Sequence, residues 1–202
     1  MFQSLKMNEQ TCNCNVIIHE IRSGTRNDRG DIVETLVTAF MTDPLVQLLH
    51  PNPMIRKEKL NELFNETIDN SDDDNKLVVD VTTTLNGCAI WHPPTVEPDL
   101  DPSPTSRQEV INFFHTIKSI APKNESFWYL AYIGTRSNYG SGVGTTLLKH
   151  RLSLIKEGLV ALWTGNEENI KFYQKFGFEV YSHCEVNALQ AWWLTYRMKR
   201  LD

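Results

Sequence analysis

The stretch from Phe127 to Phe178 constrains this chain more than any other. It opens with FWYLAYI at 127–133, nearly all apolar and aromatic, which predicts a strand covered on both faces. Gly134 is expected to end that strand, and Arg136 to Tyr139 to make a turn. Gly140, Gly142 and Gly144 follow, spaced by two, and Val143, Leu147, Leu148, Leu152 and Ile155 then recur at helical spacing. Leu159 to Trp163 reads as a second short buried strand. Glu167 and Glu168 favour a helix start, Phe172 and Phe176 share a helical face, and Gly177 suits a C-cap. Strand, glycine turn, helix, strand, helix is a unit that must sit in a sheet with helices on its faces. The glycines also leave backbone N–H groups bare at a helix start, an arrangement that binds phosphate.

The rest of the chain supplies what this unit needs around it. Residues 1–14 read as a loose polar tail and 15–202 as a single domain. Val16 to Ile21 suits a first strand. Asp28 or Asp31 can cap a helix running from Asp31 to about Met41, which Asp43-Pro44 ends or bends. A second helix covers Met54 to Ile68, followed by an acidic solvated turn at 69–75. Lys76 to Thr84 and Gly87 to Trp91 read as two strands joined by a turn at Asn86-Gly87. A proline-rich connector leads from His92 to a helix over Arg107 to Ile120, capped by Thr105 or Ser106. Phe178 to Val186 and Ala191 to Met198 complete the strands.

Composition narrows the function classes. A net charge of −5 argues against a general nucleic-acid binder, because neutralising phosphates needs a basic face. No apolar run is long enough to span a membrane, and the N-terminus lacks the apolar segment of a secretion signal. Cys12, Cys14, Cys88 and Cys184 show neither redox nor zinc spacing, so free thiols in the cytosol are expected and no metal site is.

Three phosphate chemistries compete for the glycine loop. A nucleotide P-loop would need glycine where Tyr139 stands and lysine where Thr145 stands. A dinucleotide fingerprint would need glycine at Thr145 and an acidic residue ending the next strand. The third is a pyrophosphate loop for coenzyme A, and here the chain resembles a family. Tyr139-Gly-Ser-Gly-Val-Gly144 followed by TTLL is similar to the Q/R-x-x-G-x-G/A motif of the GNAT superfamily of acyl-CoA-dependent N-acyltransferases. GNEENIKFYQKFGFEV at 165–180 resembles that family's second signature, and with the downstream strand pair the likeness covers 127–200. AF-x-x-DP at 39–44, AIWHPP at 89–94 and the late WWLTYRMKR resemble the puromycin-acetyltransferase type. Tyr139 departs from the motif, which usually has glutamine or arginine there.

The resemblance implies a mixed, mostly antiparallel α/β sheet of about seven strands flanked by helices. It implies acetyl-CoA as co-substrate, bound through Tyr132, Ile133 and Gly134 on the strand, Tyr139, Gly140, Ser141, Gly142, Val143, Gly144 and Thr145 in the loop, and Asn169. Tyr173 stands where the family keeps its general acid for the leaving thiolate. Many members carry a glutamate on the strand before the loop, where this chain has Trp128. The base is therefore left to a water wire, to His92, Glu20, Asp43 or His183, or to no dedicated group. Phe40, Asp43, Trp91, His92 and Trp128 are the expected acceptor-site lining, since aromatic walls with a carboxylate suit a cationic or planar amine. The partner expected is a small-molecule amine, with neither nucleic acid nor membrane, and the chain a monomer or homodimer. An acyl-CoA-binding module without turnover and a peptide or protein N-acetyltransferase remain open as alternatives.

Overall fold

A computed structural model describes residues 19–69, 77–98, 100–101, 107–136 and 142–198. The strands are β1 (Ile21–Ser23), β2 (Val78–Thr82), β3 (Gly87–His92), β4 (Phe127–Thr135), β5 (Gly158–Thr164), β6 (Glu179–Val186) and β7 (Leu189–Met198). The α-helices are α1 (Arg29–Phe40), α2 (Pro44–Leu49), α3 (Pro53–Asp69), α4 (Gln108–Ser119), α5 (Val143–Leu154) and α6 (Glu168–Gln174). The strands form one sheet in the order β1-β2-β3-β4-β5-β7-β6, antiparallel throughout except for the central β4–β5 pair. The expected fold class is the observed one.

Strand alternation sorts the core into two layers. Ala89, Trp91, Leu130, Val160, Leu162 and Leu194 point to one face, where α5 and α6 cover them with Leu147, Leu148 and Tyr173, joined by Phe178 just after α6. On the other face α1 and α3 bury Val81, Cys88 and Ile90, while α2 and α4 bury Tyr129, Ala161, Ala191 and Trp193. The amphipathic spacing of α1, α3 and α4 specifies these contacts: Leu36, Phe64, Phe113 and Ile117 are all fully buried.

Two features shape the middle of the sheet. Between β3 and β4 the register jumps, Ile90 pairing with Tyr132 but Trp91 with Leu130, so Ala131 is an extra residue on β4. Between β4 and β5 only Phe127, Trp128 and Tyr129 find partners, opposite Leu159, Val160 and Ala161. Beyond Tyr129 the two parallel strands part, and the β5-facing edge of β4 has no strand partner among the described residues.

One buried ion pair ties the α5 layer to the sheet. Asp80 on β2 and Arg151 on α5 form a two-pronged contact, with Arg151 Nε donating to Asp80 Oδ2 at 2.9 Å and Nη2 donating to Oδ1. Asp80 is wholly buried and Arg151 nearly so. The guanidinium carbon also stands 5.8 Å from the centre of the Trp128 ring.

Several local expectations shift. The first strand begins at Ile21, while 16–18 and the tail before them lie outside the described residues. Asp43-Pro44 ends α1 but also starts α2: proline at the first helical position needs no N–H donor, and the Asp43 carboxylate caps the helix by accepting from Val46 N at 3.1 Å. The β2–β3 connection turns through Leu85 at φ 56°, ahead of Asn86-Gly87. Gly87 lies in the strand and is required there by space, because a Cβ would sit 2.3 Å from Val143 Cγ1. Gly134 does not end β4, which runs on to Thr135. Arg107 occupies the N-cap of α4, and Thr105 and Ser106 lie outside the described residues, as do 70–75 of the acidic turn. No helix among the described residues is long and apolar enough to cross a membrane.

Candidate active site

The parting of β4 and β5 leaves an opening in the middle of the sheet. Tyr129 closes its narrow end. From there β4 carries Tyr132, Ile133 and Gly134 along one side, and β5 carries Leu162, Trp163 and Thr164 along the other. A strand edge without a strand partner can bind an extended ligand strand-fashion.

The glycine-led helix faces the same end of the sheet. Gly142 is the N-cap of α5 at φ 76°, a left-handed conformation that disfavours any residue with a Cβ. A Cβ at Gly142 would meet nothing within 4 Å, and one at Gly144 only Phe172 Cζ at 3.8 Å. Thr146 N donates to Gly142 O, the first bond of the helix ladder, which leaves the N–H groups of Val143, Gly144 and Thr145 ahead of it at the helix mouth. Open space, bare donors and the positive end of a helix dipole suit a pyrophosphate. Tyr139, Gly140 and Ser141 lie outside the described residues.

Tyr173 comes from α6. It is 6% exposed, in edge-on contact with Phe172 and Phe178 at centroid distances of 5.1 and 5.8 Å. Burial pushes its phenol above the ordinary value, so it keeps its proton. The turn after α6 is closed by Gly177 at φ 89°, with Gly177 N donating to Gln174 O and Phe178 N to Tyr173 O. The expected C-cap at Gly177 is thus displaced: Lys175 holds the C-cap position and Gly177, three residues after Gln174, closes the turn that follows. Asn169 Nδ2 donates to Thr164 Oγ1 at 3.0 Å, which holds its amide beside the C-terminal end of β5.

Tyr129 sits on the opposite face from Tyr173, yet both are close to the opening. Burial raises the Tyr129 phenol, the neighbouring Tyr132 and Tyr173 hydroxyls push it further, and the Trp163 hydrogen bond opposes them.

The expected acceptor lining does not come together as one wall. Phe40 packs edge-on against Phe64 and Tyr132, at 5.5 and 5.9 Å, on the α1 face. His92 meets the Tyr129 ring at 5.5 Å on the same side of the sheet. Trp91 is wholly buried on the α5 face, and Trp128 stands there against Arg151 at the closed end of the opening. Asp43 is engaged as a helix cap, and partial burial raises its carboxyl. Of the other base candidates, Glu20 is exposed beside β1 and His183 stacks on Trp192 at 4.8 Å. Tyr129 escaped the linear reading because its neighbours in FWYLAYI are equally aromatic; its place as the last residue paired with β5 is a tertiary fact.

Comparison with known proteins matches this arrangement. Residues 50–178 match the family described as "Acetyltransferase (GNAT) family". A histone acetyltransferase HPA2-related protein of Corynebacterium glutamicum superposes with a TM-score of 0.68 at 22% identity, covering 91% of this chain and 98% of its own. The PaiA N-acetyltransferase of Thermoplasma acidophilum, in complex with coenzyme A, gives 0.57 at 13% identity over 90% and 99%. A putative arylalkylamine N-acetyltransferase 7 of the yellow fever mosquito gives 0.60 at 12% over 88% and 86%. No curated protein matches the chain in sequence. The family match spans more than half of the 202 residues and includes the opening, the glycine-led helix and Tyr173: the chain belongs to the GNAT acetyltransferase family and is an acyltransferase.

Proposed function

We propose that the chain moves an acetyl group from acetyl-CoA to the primary amine of a small molecule by direct transfer. The observation that carries this reading is the opening between β4 and β5 beside an α5 N-terminus bare of side chains. Bound acetyl-CoA supplies the thioester; the chain holds it, orients it and moves a proton. Backbone N–H groups from Gly140 to Thr145, with Tyr139 leading the loop, take the pyrophosphate. Tyr132, Ile133 and Gly134 offer the β5-facing edge of β4 to the pantetheine arm, and Asn169 binds it from the β5 side. Donors on that edge polarise the thioester carbonyl, and Tyr173 Oη holds the proton for the leaving thiolate. β4 has no carboxylate or histidine, so the amine proton leaves by water or by His92, the candidate base in ring contact with that strand.

The coenzyme A complex of the Thermoplasma neighbour and the arylalkylamine named for the insect one support the choice of co-substrate and of an amine acceptor. AFMTDP, AIWHPP and WWLTYRMKR support placement in the puromycin-acetyltransferase type. The enzyme acts as one domain over 15–202, in the cytoplasm, as a monomer or homodimer.

Calorimetry with acetyl-CoA is expected to show binding, and saturation at a hundredfold Kd to stabilise the fold by about 2.7 kcal/mol. Absence of both effects would sink the proposal. Free-thiol release with an amine panel then separates an acetyltransferase from a bare acyl-CoA-binding module. Gly142→Val is expected to cost roughly 1–2 kcal/mol of stability through its left-handed backbone, and to weaken acetyl-CoA binding about tenfold by crowding the helix mouth. An unchanged Kd would remove that loop from the cofactor site.

A further inference from the structure

The turn that joins β2 to β3 touches the chain on both sides of the glycine loop. On the β4 side, Arg136 N donates to Asn86 O at 2.8 Å. On the α5 side, Val143 and Leu147 pack over Gly87, where an added Cβ would stand 2.3 Å from Val143 Cγ1 and 3.2 Å from Leu147 Cδ1. The turn is itself held in shape. Leu85 N donates to Thr82 O at 2.9 Å, Thr82 Oγ1 donates to Asn86 Oδ1 at 2.8 Å, and Gly87 N donates to Thr82 Oγ1 at 3.2 Å.

Arg136, the residue after β4, fixes this turn to α1. Its Nε donates to Thr35 Oγ1 at 2.7 Å, and Thr35 Oγ1 donates onward to Leu85 O at 2.8 Å. Thr35 has no exposed surface, so both bonds are made away from solvent. Arg136 Nη2 donates to Asp31 O at 2.8 Å and to Asp31 Oδ1 at 3.0 Å, with Glu34 Oε2 at 3.2 Å. Both carboxylates are well exposed, so these ion pairs add little stability by themselves. The bond to buried Thr35 is the part that specifies position. α1 is also pressed on the strand end, since a Cβ at Gly134 would fall 2.9 Å from Ala39 Cβ. One guanidinium thus holds the end of β4, α1 and the turn beneath α5 in a single geometry. Its planar fork sets donors at fixed angles, which a flexible ammonium does not.

We propose that Arg136 is a positioning residue for the cofactor, acting through Thr35 and the β2–β3 turn. It sets the spacing between the β4 edge at Tyr132, Ile133 and Gly134 and the helix mouth at Val143, Gly144 and Thr145. This rests on the acetyl-transfer reading above and names the residue that aligns the two halves of its cofactor site. Strand edge and helix mouth belong to different elements, and one acetyl-CoA engages both. Their spacing must be right before the ligand arrives, and an error in it lowers affinity without touching the reacting atoms.

Calorimetry with acetyl-CoA on folded protein tests it. Arg136→Gln and Arg136→Lys are each expected to raise the Kd about tenfold, and Thr35→Val about threefold. Arg29 makes a two-pronged pair with Asp69 at the start of the same helix, so Arg29→Gln loosens α1 elsewhere and should leave the Kd unchanged. Thr146 N makes the first ladder bond of α5, and its amide should exchange faster in the ligand-free Arg136 variants than in the parent. Should Arg136→Gln not fold, Arg136→Lys and Thr35→Val carry the test. A parent-like Kd in Arg136→Lys would mean that charge alone matters, and overturns the proposal. So does an equal loss in Arg29→Gln, a parent-like Kd in Thr35→Val, or unchanged exchange at Thr146. Each of these leaves acetyl transfer intact. A parent protein that binds no acetyl-CoA removes the acetyl-transfer reading and this one with it.

Discussion

Tyr173→Phe is expected to lower kcat with acetyl-CoA by about 10²-fold or more and to leave the Kd for acetyl-CoA unchanged. The argument is one of position and proton. Tyr173 is brought to the sheet by α6, whose ends are fixed by the Thr164–Asn169 contact and by the Gly177 turn, so the ring has little freedom. Phe172 and Phe178 pack its edges, and phenylalanine fills the same ring volume, so the fold should tolerate the change. What is lost is a proton held at Oη. Because burial raises the phenol above its ordinary value of 10.0, the neutral acid persists through alkaline solution. The sign of the pH dependence follows: no fall in kcat attributable to this group should appear below about pH 10. Steady-state rates of the two proteins between neutral and alkaline pH check both points. A kcat within a few-fold of the parent would assign Tyr173 to packing alone.

The fold was legible in the chain where periodicity is strong. Helical spacing of Val33, Leu36 and Val37, or of Phe113 and Ile117, identifies faces that are buried as expected. The succession of strand, helix, strand and helix around the glycine turn followed from the same logic. The grouping of the expected acceptor lining was much less legible, and β4 explains why. An aromatic run of this density carries no alternation, so nothing marks which residue faces which layer. The extra residue at Ala131 then inverts the parity: Trp128 and Leu130 face α5, but after the bulge Ile133 does, and Tyr132 turns towards α1. Grouping Trp91 and Trp128 with Phe40 and Asp43 by chemical type therefore joined residues from opposite layers. Asp43-Pro44 is a second instance. It reads as a helix stop, and the same residues cap and begin α2.

Arg151→Met is expected to destabilise the fold by about 3–5 kcal/mol, the largest stability effect of any single substitution considered for this chain. Asp80 lies in the second strand of the sheet with no exposed surface, and its two oxygens are both taken by the guanidinium. Removing the cation leaves a carboxylate with no exposed surface and without its two-pronged partner. His150 Nε2, 3.9 Å from Asp80 Oδ1, is too distant to replace a two-pronged contact. Most of the loss is thus the cost of stranding Asp80, not the net worth of the pair. Combining Arg151→Met with Asp80→Asn removes the stranded charge and should recover about half of the deficit, which urea denaturation of the single and double variants measures. The effect should reach the chemistry as well. Arg151 fixes the last turn of α5, and the first turn of that helix presents Val143, Gly144 and Thr145 to the proposed pyrophosphate site. A helix released at one end loses its aim at the other, so the surviving folded protein should bind acetyl-CoA more weakly, as a Tyr173 variant should not. Additive losses in the double variant, with no recovery, would show that Asp80 was never held as a charge by Arg151.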